Sequence, residues 1–147
     1  MLSDRQFFLS CAPSLHKFEV IHPDPAPEIP EAIRAQARGD GKTECFRVTD
    51  IVHAMPAGLW DTNVVSTYEF TNITDGVFVR IKSPMSISMD TVWLVKHGED
   101  GKLELTETLS ISCSRLLMGL VKAECEGWAN IHAKMLSRLE DEIKAQA

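Results

Sequence analysis

The chain has 147 residues, 44% hydrophobic and 24% charged, with a formal net charge of −6. That length fits a single domain around one core. An acidic chain with no basic stripe is a poor match to a phosphate backbone, so nucleic acid is excluded as the expected partner, and no apolar run approaches the roughly 20 residues that span a bilayer. Met1-Leu-Ser-Asp has neither a basic start nor a long apolar stretch, so no secretory signal is expected. Cys11, Cys45, Cys113 and Cys125 form no CxxC pair and no zinc-type spacing with a histidine. They are expected to be reduced thiols of a cytoplasmic protein, with no metal. The sequence also lacks GxSxG, a phosphate loop and a dinucleotide fingerprint, so no cofactor is expected.

Asp4 to Leu9 reads as a short helix capped by Ser3 or Asp4 and ended by Pro13. Leu15 to Ile21 alternates as a strand. His22 to Pro30 holds closely spaced prolines and is expected to be an extended, solvated loop. Glu31 to Arg38 has room for a turn or two of helix. Strands then follow in hairpin rhythm: Thr43 to His53, a turn at Met55-Pro-Ala-Gly-Leu59, Asn63 to Thr71, and a turn at Asn72 to Gly76. Val77 to Lys82 points Val77, Val79 and Ile81 inward. The next strand turns Ile87, Met89, Thr91, Trp93 and Val95 inward, and the last turns Leu103, Leu105, Glu107, Leu109 and Ile111 the same way.

From Cys113 to Ala147 the period changes to that of a helix. Leu117, Val121, Cys125, Trp128, His132, Met135 and Leu139 recur at three and four, and the pattern predicts one long amphipathic helix. The sum is α+β, one domain over residues 1–147: a strongly bent antiparallel sheet gripping a long C-terminal helix, with an internal cavity between them.

Several short stretches carry a resemblance to known proteins. They are Ile21-His-Pro, Val48-Thr-Asp-Ile, Met55-Pro-Ala-Gly-Leu-Trp60, and Leu105-Thr-Glu-Thr-Leu followed by Cys113 and Leu116-Leu-Met. In that order, from about Leu15 onward, the chain resembles the START/SRPBCC superfamily, which includes birch-pollen-allergen-like proteins and polyketide cyclases. Within it the chain is most similar to an uncharacterised fungal family. The resemblance implies the helix-grip fold and a hydrophobic ligand. Members usually open with a strand that this chain lacks, and a sheet edge left unpaired in this way favours a homodimer. A monomer whose N-terminal segment covers the edge is the alternative.

Four residues are candidates for chemistry. Strict alternation places Glu107 on the face toward the helix, where a carboxylate is a general acid or base, a hydrogen-bond partner for a ligand, or half of a structural pair. Asp50 shares inward parity with Phe46, Val48 and Val52, and either lines the interior or caps the following turn. His132 lies one turn after Trp128 and forms a titrating pair if Glu107 or Asp50 faces it. Tyr68 offers a phenol on an apolar face, suited to orienting a ligand or to plain packing. Phe46, Trp60, Phe70, Met89, Trp93, Trp128 and Met135 are candidates for the pocket lining and equally for filled core.

Two ligand-binding functions follow from this, beside a structural or interaction domain with a filled interior. One is a cofactor-independent, cyclase-type enzyme of fungal secondary metabolism that holds a small polyketide or terpenoid in the cavity and promotes cyclisation or cycloaddition. The other is a carrier for a lipid, sterol or polyketide, which needs the cavity and no catalytic group.

Overall fold

The computed structural model describes residues 1–53 and 61–147, with backbone alone at His53 and Asp61. The predicted turn at Met55 to Leu59 and the side chain of Trp60 fall outside the described residues. Six strands form one curved antiparallel sheet in simple meander order: β1 (Leu15–Ile21), β2 (Thr43–His53), β3 (Asp61–Ile73), β4 (Gly76–Ser83), β5 (Ile87–His97) and β6 (Leu103–Ser112). Short turns between alternating strands dictate this order, because consecutive strands then pair with each other. At the β3–β4 turn, Asp75 takes a positive φ of 61°. A Cβ on the adjacent Gly76 would collide with the Trp93 carbonyl of β5, so only glycine permits that close approach.

The helices are α1 (Arg5–Ser10), α2 (Glu31–Arg34), α3 (Arg115–Glu126) and α4 (Ala129–Gln146). Asp4 caps α1, its carboxylate accepting from the Phe7 N–H. The C-terminal segment is not one uninterrupted helix. The N–H groups of Gly127 and Trp128 donate to the carbonyls of Glu124 and Cys125, three residues back, so the helix tightens by one step between α3 and α4. Glycine at that step lowers helix propensity, while the apolar spacing runs on through it, which is why periodicity alone reads as unbroken.

The main core lies on the inner face of the sheet, between the strands and α1 and α4. It contains Leu9, Cys11, Phe46, Val48, Phe70, Val77, Val79, Trp93 and Met135. Phe8 of α1 stands edge-on to Phe70 and to Trp93, at 5.2 and 5.7 Å between ring centres. Arg5, also in α1, is buried. It donates to the Leu2 carbonyl and to Asn72 Oδ1, pairs with Glu44, and lies over the Phe70 ring. The N-terminal segment is thereby fastened across the inner face rather than along a sheet edge. The strands at the two ends of the sheet order are β1 and β6.

The His22–Pro30 loop has no regular structure and is exposed from His22 to Ala26, as expected, but its end docks onto a separate apolar cluster on the outer face. Ile29 and Ile33 pack onto Ile73, Phe78, Val92 and Leu94. The Glu28 carbonyl accepts from Arg80, whose guanidinium also binds Asp90 in two-pronged fashion. The two isoleucines supply a reason to dock that a proline count does not reveal. No helix among the described residues is long and apolar enough to cross a membrane.

Candidate functional site

The inner face of the sheet leaves a pocket of about 260 Å³. Its floor crosses the sheet from Asp50 and Val52 on β2, through Tyr68, Val79, Ile81, Met89, Thr91 and Trp93, to Glu107 on β6. Its walls come from residues 8–15 at the N-terminus and from the tightened step of the C-terminal helix, at Glu124, Cys125, Gly127 and Trp128, with Ile131 beyond. The break between α3 and α4 is therefore a part of the site.

Strand register explains how the floor groups its polar side chains. Trp93 and Glu107 are direct cross-strand partners, so they stand side by side on one face. His132, from α4, meets both: its Nε2 lies 2.6 Å from Glu107 Oε2, and its ring stands edge-on to Trp93 with centres 5.4 Å apart. Burial pushes the Glu107 carboxyl above its ordinary range, and the hydrogen bond and charge of His132 pull the other way. The Glu107 side chain is 11% exposed and that of His132 is 44% exposed, so one partner is largely screened from water and the other is open to it.

Asp50 belongs to a separate group. From β2 to β6 there are four strand spacings, roughly 19 Å across before curvature. Asp50 accepts a 3.1 Å hydrogen bond from Ser14 Oγ. Its carboxyl is pushed up by burial first, and also by the negative charge of Glu124, while Ser14 lowers it. Burial, and then the nearby Asp50, push the Tyr68 phenol well above its usual value. The pocket thus has two poles, Glu107–His132 at the β6 side and Asp50–Tyr68 at the β2 side.

One further pair of polar groups in the lining is satisfied internally. Ser66 and Ser83 share a hydrogen bond of 2.8 Å between hydroxyls. Thr91 is 2% exposed, and its fully buried Oγ1 has no hydrogen-bond partner among the described residues. A buried polar atom left in that state costs about 1–3 kcal/mol. Among the described residues no three His, Cys, Asp or Glu side chains converge as metal ligands do. All four cysteines are free thiols.

The sequence candidates are placed as follows. Glu107, Asp50 and Tyr68 line the pocket, and His132 contacts it through Glu107. Met89, Trp93 and Trp128 also line it. Phe46, Phe70 and Met135 do not: Phe46 packs edge-on against Phe18 and Phe70, and Met135 is fully buried in the same core. Their inward parity is real, but α1 and α4 already cover that end of the sheet. Phe8, Leu9, Ala12, Pro13 and Ser14 were not anticipated as a wall. The apolar run Phe7-Phe8-Leu9 inside a capped turn is the signal that marks this segment as one that must dock.

The fold and the site together define an α+β protein with an apolar pocket between a curved sheet and its covering helices. Over residues 1–145 the chain matches the model of a family described as a domain of unknown function, DUF7053, and it belongs to that family. No curated protein and no solved structure matches the chain.

Proposed function

We propose that this protein binds a small, largely apolar molecule in the pocket and acts on it as a cofactor-independent acid–base catalyst of the cyclase or isomerase type. The observation that carries the reading is Glu107, a carboxyl raised by burial, hydrogen-bonded to His132 and lining an otherwise mostly apolar pocket. Ionised Glu107 takes a proton from a carbon beside a ligand carbonyl. The electron pair left behind forms an enolate or attacks a second centre within the ligand, and the proton returns from Glu107 or His132 to another atom. Nothing is oxidised or reduced in that sequence. The volume of about 260 Å³ lies just below the roughly 300–1,000 Å³ of typical ligand pockets, which favours one or two rings over a sterol.

A carrier function is the second reading, and the hydrogen bonds Ser66–Ser83 and Ser14–Asp50 favour it, because groups already paired are not free to do chemistry. In either reading we take the arrangement as the helix-grip kind of the START/SRPBCC superfamily, acting in the cytoplasm. Among the described residues no strand pairs with the outer sides of β1 and β6, which supports a homodimer. The test uses β-tetralone, a two-ring ketone, in deuterium oxide. The enzyme reading expects protein-dependent deuterium uptake beside the carbonyl, seen by proton NMR. Binding without uptake above the buffer rate leaves the carrier, and neither binding nor uptake refutes both.

A further inference from the structure

Among the described residues the inner face holds one fully buried side-chain polar atom with nothing to bond to, and it sits beside the group with the strongest claim to chemistry. Thr91 faces Leu109 across the β5–β6 ladder, and Glu107 lies two residues along from Leu109 on the same side of the sheet. Thr91 and Glu107 are therefore diagonal neighbours, roughly 7–8 Å apart with their Cβ atoms somewhat closer. Thr91 lines the pocket, and its fully buried hydroxyl has no partner among the described residues. Around it are Val79, Ile81, Met89 and Trp93, which offer it no acceptor and hold a ring well.

We propose that Thr91 Oγ1 is the anchoring donor for a ligand carbonyl, making this a site for small cyclic ketones whose carbonyl lies over β5 and whose neighbouring C–H faces Glu107. The hydroxyl donates a hydrogen bond and keeps its proton. It fixes the carbonyl oxygen and draws electron density toward it, so the adjacent C–H becomes more acidic on the side where the carboxylate lies. The inference rests on the proposed small-molecule pocket and adds the functional group the pocket selects.

Thr91→Val removes the hydroxyl while keeping nearly the same shape, and the proposal demands two changes of opposite sense. Without ligand, the variant melts at a higher temperature, because an unsatisfied buried group is gone. With β-tetralone, its affinity falls about tenfold, measured by calorimetry, the loss expected for one hydrogen bond of this kind. Tetralin, the same ring system without the carbonyl, binds wild type and variant alike. Thr91→Ser, which keeps the hydroxyl, retains the ketone affinity. A lower melting temperature for Thr91→Val without ligand overturns the proposal, as does unchanged ketone affinity, which would assign the hydroxyl to a buried water. In those cases tetralin binding shows that the apolar pocket itself stands. If neither probe binds wild type, the proposal and the pocket reading fail together.

Discussion

Glu107→Gln separates catalysis from structure at the Glu107–His132 pair. Glutamine keeps the size and one acceptor for the His132 ring but cannot ionise. A hydrogen bond to a charged group contributes about 1.5–3 kcal/mol. Here the histidine side chain is 44% exposed, so screening by water reduces that figure. The substitution also removes a carboxylate whose ionisation burial opposes, and the two effects offset to within about 1 kcal/mol. For a chain of this length that is a melting shift of about 2–4 °C at most. The sign depends on pH. Because the folded carboxyl is raised above its ordinary value of 4.5, the stability it contributes is fully present below that value and is lost as pH rises through the raised one. The variant therefore gains on wild type across that window. Deuterium uptake by β-tetralone should fall by about 10²–10⁴-fold, the range for losing a general base. Uptake within about threefold of wild type would refute the catalytic role, since general-base losses are much larger. A stability loss above about 3 kcal/mol would mark the pair as a structural bridge instead.

Asp50→Asn should stabilise the protein at neutral pH and have little effect below the ordinary carboxyl value of 3.8, because the raised folded carboxyl loses its stabilising contribution as pH rises; melting curves from acid to neutral pH check this. Met135→Ala deletes a fully buried core side chain away from the pocket and should cost about 2–5 kcal/mol in urea unfolding, with the ketone selectivity of surviving folded protein intact. Three carboxylates line the pocket, at Asp50, Glu107 and Glu124, and no described lysine or arginine does. Tetralin carboxylate should therefore bind more weakly than tetralin itself, as calorimetry would show.

Much of the sheet was legible because its strands alternate strictly. Leu103 to Ser112 changes burial at every residue, so the inward position of Glu107 follows from parity alone. The same rule placed Asp50 and Tyr68 in the lining. Parity says nothing about what covers a given residue, and that is why Phe46 and Phe70 lie in filled core while Met89 and Trp93 border open space. The break at Gly127 was hidden because an apolar spacing of three and four survives a single tightened turn. The wall from residues 8–15 depends on Arg5 reaching Asn72 and Glu44, contacts between segments far apart in sequence. Thr91 looked like any inward residue of its strand, since a missing hydrogen bond is visible only when all its neighbours are in place.

The central claim is that a small apolar ligand occupies the space between the sheet and the helix break. Titrating isotope-labelled protein with β-tetralone, while following the indole N–H signals of Trp93 and Trp128 and the methyl signals of Met89 and Ile131, tests it directly. The account predicts saturable shifts at these four residues, which line the pocket from both sides, with Ile143 and Leu116 on the exposed helix surface unmoved. Shifts absent from the four, or spread evenly over the exposed positions, would contradict it.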